Sequence, residues 1–300
     1  MVVNVAYVGS HGYEQIFGVD LNQIPEDKLG LNDTTGATNA RPYPNFQSIG
    51  GNKFVGISNY NSLQATIEKR LTSGLQFNFN YTWSKFLNDG DPCAWNCGTT
   101  TVQNMYVPSQ NYGPADYDIR NMFKGRVIYQ LPVGKGQRFL NNNSPLAQII
   151  GGWQTAATIQ WQSGNPFTVT TAFDNSYSQS GSQYPNVVPG VSPWSGKVRT
   201  VGPLGNWFNE AAFSQPADGT FGDSSRDSLY GPHLSNINMS LAKNFPIWKT
   251  VLQIRADSTN VFNHPSFGLP NASIGPGQQS TITSVTVGGR AVQLLGRISF

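Results

Sequence analysis

The chain has little charge and no long apolar run. Of its 300 residues, 12% are Asp, Glu, Lys or Arg, about half the share found in ordinary soluble domains. The net charge is +3 and no cluster of Lys and Arg occurs, so we expect no binding to nucleic acid. No stretch of about 18 or more apolar residues is present, which excludes a transmembrane helix.

Patterns that carry catalysis or hold metals are also missing. The sequence contains no nucleophile elbow and no phosphate-binding loop of the Walker type. Its histidines, His11, His233 and His264, are too scattered to complete a zinc site with the cysteines. We therefore expect a protein that is not an enzyme and that has no cofactor or metal.

The two cysteines, Cys93 and Cys97, lie close together in the run DPCAWNC. A disulfide within an exposed loop is the interpretation that we favour, since it suits an oxidising compartment. Two free thiols are the alternative.

What the chain does have is a mixture of aromatic and neutral polar residues. Hydrophobic residues make up 38% and aromatic residues 12%, and Asn, Gln, Ser, Thr and Gly are abundant. A soluble core needs more apolar mass, and a disordered chain has fewer aromatics. A transmembrane β-barrel fits, because its lipid face needs apolar side chains at only every second strand position and its lumen is polar.

Strict alternation of apolar and polar residues recurs along the chain. The clearest case is Leu75–Ser84 (LQFNFNYTWS). The pattern predicts about eight antiparallel strands of roughly ten residues, the length that a tilted strand needs to cross a bilayer. The other alternating runs are Val3–Val8, Ser62–Leu71, Phe123–Leu131, Trp153–Gln162, Asn236–Leu241, Leu252–Asp257 and Val292–Phe300.

The connections between these runs alternate between short and long. Thr72–Gly74 and Pro246–Lys249 are tight and Pro132–Ile150 is moderate, whereas the long connections are residues 10–58, 86–118, 164–235 and 263–289. Outer-membrane barrels have short periplasmic turns and long extracellular loops. With Phe300 in the periplasm, counting backwards places every long connection outside. The sequence leaves open whether Pro166–Ala172 extends the strand of Trp153.

Aromatic residues lie near the strand ends on the apolar face, as in the girdles of outer-membrane barrels. The alternative is the core of a soluble sandwich. These aromatics are Tyr81, Trp83, Tyr129, Trp153 and Trp161.

The last strand places apolar residues or Gly at every second position and ends on an aromatic. This pattern resembles the sorting signal that the barrel-assembly machinery reads in outer-membrane proteins, and an ordinary edge strand is the alternative. The residues concerned are Val292, Leu294, Gly296, Ile298 and Phe300.

Several charged residues fall on the polar faces of predicted strands, where we expect them to point into a lumen. They are Glu68, Arg70, Lys124, Arg126 and Arg255. A further group, Asp116, Asp118 and Arg120, lies in the run ADYDIRN. We interpret this group as a solvated strand entrance in preference to a ligand contact or an ion-pair cluster in the lumen.

The chain resembles the C-terminal barrel region of Oar-like TonB-dependent outer-membrane receptors, which often carry a carboxypeptidase-regulatory-like domain at the N-terminus. The most specific runs are GGWQTAATIQWQSGNPFTV and NVFNHPSFG. The other runs that match are VAYVGSHG, FNFNYTWSK, ADYDIRNMFKG and the terminal LLGRISF.

The resemblance implies a barrel of about 22 strands that is closed by an N-terminal plug. It also implies energy from the TonB complex, delivered through a short TonB box near the N-terminus. The sequence contains neither element, and MVVNVAYVGS is not a signal peptide. We therefore interpret residues 1–300 as the C-terminal portion of one barrel domain, with the N-terminal part and the plug missing.

The sequence therefore predicts part of a receptor or transporter for a bulky substrate in the outer membrane of a Gram-negative cell. We expect transport to belong to the full-length protein, which reaches the TonB complex through its N-terminal part. The expected partners of this chain are outer-membrane lipid, the barrel-assembly machinery and an unidentified substrate. A structural or adhesive surface protein and a passive porin are the alternatives.

Overall fold

The fold is a single large antiparallel sheet whose strands follow one another in chain order. The computed structural model describes residues 1–30, 40–90, 102–142, 144–178, 183–202 and 204–300. Each long strand pairs with the next one along the chain, so the predicted all-β architecture with about eight strands is confirmed. The strands are β1 (Val2–Asp20), β2 (Gly50–Thr72), β3 (Leu75–Asn88), β4 (Asn121–Gln130), β5 (Trp153–Gln162), β6 (Leu234–Ile247), β7 (Thr250–Thr259) and β8 (Ala291–Ser299).

In the described part of the chain, helical structure is confined to short pieces. The α-helix α1 (Pro145–Ile150) lies between β4 and β5, and 3₁₀ turns occupy Glu26–Lys28, Pro108–Asn111 and Glu210–Ala212. Within the described residues, none of the helices has the length and apolar character needed to span a membrane.

Tight turns join two of the strand pairs. Thr72 pairs with Leu75, and the intervening Ser73 and Gly74 have φ values of 51° and 78°. Two consecutive positive φ values are typical of the hairpin turns whose twist matches that of the strands. At the other tight link, β6 runs on to Ile247, which pairs with Thr250. Both predicted short turns are therefore confirmed.

The first two strands are longer than the alternation predicts. Their pairing continues to Asp20 opposite Gly50, so the prediction that residues 10–58 form a loop is wrong and the connection is 21–49. The register shifts between Gly12 and Ile16, where Glu14 has a φ of 51°. A bulge exchanges the faces of the residues that follow it, and this hides the period of two from the sequence.

Above the sheet, the long connections fold into a layer of their own, which we call the loop layer. It comprises the described residues of 21–49, 89–120, 163–233 and 260–290. The loop layer holds short strand pairs: Gly113–Pro114 on β3, Pro166–Phe167 with Leu229–Tyr230, Thr170–Thr171 with Ser273–Ile274, Asn186–Val187 with Phe213–Ser214, and Ser266–Phe267 with Val285–Val287.

The loop layer has an apolar core, although its segments show no regular period. The side chains of Phe167, Phe208, Leu229 and Ile274 are buried together, and Trp207 packs against them. A smaller cluster joins Phe17 and Val19 of β1 to Val102 and Met105. Burial of apolar surface thus holds these connections in a fixed arrangement.

The strand of Trp153 does continue into the loop layer. Gln162 pairs with Leu234 at the end of the sheet, and Pro166 pairs with Tyr230 in the same register. Between these pairs the two chains approach so closely that a Cβ on Gly164 would lie 1.9 Å from the carbonyl oxygen of Gly231. Only glycine fits at this position.

Candidate functional site

One face of the sheet is apolar and exposed along its whole width. Pairing places Ile67, Phe79, Gly125, Ile159 and Ile237 side by side on this face. Many of its large side chains are open to the surroundings: Tyr7 is 69%, Trp83 is 54% and Leu294 is 77% exposed. A continuous apolar surface of this size requires a nonaqueous partner.

Aromatic side chains mark both margins of this apolar face. Near the loop layer they are Tyr7, Tyr81, Trp83 and Trp161, and near the tight turns they are Tyr129, Trp153 and Phe245. Trp153 and Trp161 lie on one strand, and the intervening chain is about 27 Å long at the usual rise. At the usual tilt this span covers about 20 Å of depth, close to the apolar band of outer-membrane barrels.

The opposite face of the sheet is polar. Glu68 lies opposite Asn78, which in turn lies opposite Arg126. Lys124 lies between Asn80 and Gln160. Four of the five predicted lumen charges therefore share this face: Glu68, Lys124, Arg126 and Arg255.

Arg70 is the fifth predicted lumen charge, and it lies outside the regular pairing of β2 with β3. Arg70 lies in a bulge, because the register with β3 shifts between Lys69 and Thr72. Arg255 is already paired on its own strand, since its Nε lies 2.7 Å from Oδ1 of Asp257.

The C-terminal strand lies at one edge of the sheet. Val292, Leu294, Gly296 and Ile298 share the apolar face, and β8 pairs with β7 alone in the part of the chain that is described. Phe300 follows the strand and is fully exposed. Recognition of this strand by the assembly machinery stays a prediction.

The run ADYDIRN differs from its predicted solvated environment. The side chain of Asp118 is completely buried, 3.6 Å from Arg120, and accepts a 2.7 Å hydrogen bond from the backbone N–H of Phe86. The prediction of nearby carboxylates and arginine is confirmed, but a solvated Asp118 is wrong. The loop layer covers this carboxylate, because Tyr230 donates a hydrogen bond to it.

A buried arginine joins the loop layer to the strand ends. The side chain of Arg226 is 4% exposed and lies 3.4 Å from Asp227 and 3.6 Å from Asp116. Its guanidinium also donates to the carbonyl oxygen of Asn111 at 3.1 Å and to that of Asn88, the last residue of β3, at 3.0 Å. The planar guanidinium group presents several N–H donors and can therefore bind several acceptors at once.

Polar groups around this arginine are shielded from water. Tyr184 donates to the side chain of Asn111 at 3.1 Å, and burial raises the pKa of its phenol well above the usual range. Burial also raises the pKa of the Asp89 carboxyl, despite a hydrogen bond from the N–H of Ile57 and the nearby charge of Arg226. The junction is therefore a largely buried polar contact between strands and layer, with Asp116 at its exposed edge.

The sequence contained only a weak signal for this junction. Arg226 and Asp227 are adjacent opposite charges within a long stretch otherwise poor in charge, and we interpreted that stretch as a loop. The predicted disulfide partners, Cys93 and Cys97, lie outside the described residues.

Comparison with known proteins agrees with this geometry. A search of curated proteins finds no match to the chain. The family model described as an outer membrane beta barrel domain matches residues 1–293, nearly the whole chain. This chain therefore belongs to the outer membrane β-barrel domain family and is a protein of the outer membrane.

Proposed function

We propose that this chain forms the C-terminal part of a TonB-dependent receptor that moves a bulky substrate across the outer membrane. It performs no catalysis. In this proposal further strands complete the barrel, an N-terminal plug fills its lumen, and the TonB complex reaches the receptor through that N-terminal part.

The observation that carries the proposal is the open sheet with two different faces. Within the described residues, β1 and β8 each have one long neighbour, and their outer edges are unpaired. Unpaired strand edges are not tolerated in lipid, so a membrane barrel must pair them. Completion by additional strands gives a wide barrel of the kind whose lumen holds a plug.

The two ends of the sheet take different roles in this proposal. The loop layer forms the outer surface and selects the substrate. Its packed apolar core keeps the shape of this surface fixed. The charged polar face lines the lumen, where Glu68, Lys124 and Arg126 contact the plug or the water around it.

Sequencing the DNA upstream of the Met1 codon tests the proposal. We expect an open reading frame that continues into a plug domain, a TonB box and a signal peptide. A stop codon directly upstream, with no export signal, would contradict transport by this protein. A frame with a signal peptide but no plug would favour the passive porin.

The lumen charges allow a second test in the full-length protein. Replacing Glu68, Lys124 and Arg126 with Gln removes their contacts with the plug, so we expect faster passive entry of a small hydrophilic antibiotic into cells. The matched control replaces exposed charges of the loop layer, Lys28→Gln, Lys197→Gln and Asp218→Asn. Equal antibiotic entry in both triple variants would contradict a role of the polar face in holding the plug.

A further inference from the structure

At the end of the sheet that carries the tight turns, the charged side chains are all basic. Segments 69–76, 130–153, 243–252 and 295–300 contain no Asp or Glu, and all 16 acidic residues lie elsewhere. The basic residues of these segments are Lys69, Arg70, Lys135, Arg138, Lys243, Lys249 and Arg297. A membrane protein with such an end attracts anionic headgroups at that surface.

The connection between β4 and β5, residues 131–152, forms a shelf beside the apolar face at this end. Lys243 and Trp153 lie opposite each other on that face. The ammonium of Lys243 donates to the carbonyl oxygens of Gln148 and, at 2.8 Å, of Ile149. The indole N–H of Trp153 also donates to Ile149, at 3.1 Å. Two side chains of the apolar face therefore hold the C-terminal end of α1.

The cation that holds the shelf is itself enclosed. Lys243 is 4% exposed, and its Nζ lies 5.5 Å from the ring centre of Trp153 and 4.9 Å from that of Phe245. Aromatic faces stabilise a cation at such distances. Lys243 is held by backbone carbonyls, whereas Lys135, Arg138 and Lys249 are exposed, with Arg138 over the ring of Phe139 and Lys249 over that of Trp248.

The shelf and the turn after β6 both carry exposed apolar side chains at this end of the sheet. Leu146 is 56%, Ile149 is 67% and Trp248 is 95% exposed. Ile149 lies at the aromatic margin of the sheet, since its carbonyl oxygen accepts from Trp153, and Trp248 lies beyond that margin in the turn after β6. Apolar side chains at that depth reach the acyl chains, while basic side chains beside them reach the headgroups.

A cavity separates the shelf from the end of β6. Its volume is about 460 Å³. Lys135, Gln137, Asn142, Gln148 and Asn244 line it with hydrogen-bonding groups. Lys243 also lines the cavity, which thus combines two cations with neutral polar groups and suits a phosphate ester that carries hydroxyl groups.

We infer that the shelf binds an anionic phospholipid of the leaflet that surrounds the tight turns. In this inference the phosphate lies in the cavity beside Lys135, Arg138 and Lys249 add exposed positive charge at the same end of the sheet, and the acyl chains lie against Leu146 and Ile149. Apolar and cationic groups side by side favour a lipid over an acidic protein, which offers no acyl chain. The inference goes beyond the proposed function and does not depend on a plug, a TonB box or transport.

The experiment measures lipid retention by the purified full-length protein. The protein is taken from nanodiscs that contain equal amounts of phosphatidylglycerol and phosphatidylcholine, and native mass spectrometry counts the lipids that stay bound. The test variant is Lys135→Gln with Arg138→Gln and Lys249→Gln. The control, Lys28→Gln with Lys197→Gln and Arg290→Gln, removes the same charge from exposed positions of the loop layer.

We expect the wild type and the control to retain phosphatidylglycerol preferentially. The test variant loses at least about fivefold of that preference, since each basic side chain near an anionic surface contributes a factor of about five. An equal loss in both variants, or no loss in the test variant, would overturn the proposal. Circular dichroism checks that each variant is folded, and the single variant Lys135→Gln replaces the triple if the triple does not fold.

A second variant tests the apolar part of the site. Ile149→Ser keeps every cation and removes an exposed apolar side chain, so we expect weaker retention of both lipids with an unchanged ratio between them. Unchanged retention of both lipids would show that no acyl chain lies on the shelf, and would overturn the placement of the lipid.

Discussion

Replacing Arg226 with Ala removes the contact that joins the loop layer to the ends of the strands. The change leaves the carboxylate of Asp227, which is also buried, without the cation that lies 3.4 Å away. It also removes the donor to the carbonyl oxygen of Asn88 at the end of β3. Breaking a buried ion pair by truncating one partner costs about 3–5 kcal/mol.

This cost falls on the loop layer and not on the sheet, because the strands keep all of their backbone pairs. Local opening of the layer therefore becomes roughly a hundredfold to a few thousandfold more frequent, at about 1.4 kcal/mol for each factor of ten. Hydrogen exchange of the backbone amides measures this opening. We expect faster exchange in residues 164–178 and 204–233, with the exchange of β2 to β5 unchanged.

A second variant at Arg226 separates the effect of its charge from that of its planar shape, and a variant of another arginine is the control. Arg226→Lys keeps the positive charge and loses the planar fork, so we expect a smaller acceleration than with Ala. Arg290→Ala removes an exposed arginine of the same layer and should leave exchange unchanged. If Arg226→Ala exchanges like the wild type, the buried arginine does not hold the layer and the reasoning fails.

Three more outcomes follow from single residues. Gly164→Ala places a methyl group against the backbone of Gly231 and should destabilise the loop layer by about 1–3 kcal/mol; Gly50→Ala, in open space, is the thermal-unfolding control. Burial raises the pKa of Asp89, so protonated Asp89 stabilises the fold below the ordinary carboxyl pKa, and this stabilisation is lost as the pH rises through the raised pKa. The unfolding midpoint of Asp89→Asn should therefore fall less over this pH range than that of the wild type. Parallel pH profiles of the two proteins would refute this prediction. Phe300→Ala should lower the fraction of chain inserted in the outer membrane, measured by heat-modifiable gel mobility, and insertion equal to that of Ser299→Ala would argue against a sorting role.

The strands and their faces were predictable because the polarity of each side chain in a two-faced strand matches the face of the sheet on which it lies. In Leu75–Ser84, apolar and polar side chains alternate between the two faces of the sheet, and this pattern can be recognised without knowing which strands pair. The tight turn at Ser73 and Gly74 was predictable for the same local reason, since glycine tolerates the positive φ that the turn requires.

The loop layer and its junction were not predictable by this route. The core residues Phe167, Phe208 and Ile274 come from segments without a regular period, and their burial depends on contacts across the chain. Arg226 binds backbone groups that are 115 and 138 residues away in sequence. A single sequence shows the charge of such a residue but not its partners. The bulge near Glu14 had a similar effect, because it interrupts the alternation on which the strand bounds depend.

The parallel pairing of Thr170–Thr171 with Ser273–Ile274 bears on how the outer surface can be altered. The longer connection supplies most of the buried core, and Ile274 of the other connection is buried among its residues 167–229. Grafting residues 164–233 alone onto a related barrel would therefore leave an unmatched apolar surface. A change of binding specificity by loop exchange requires the two connections to be transplanted as a pair.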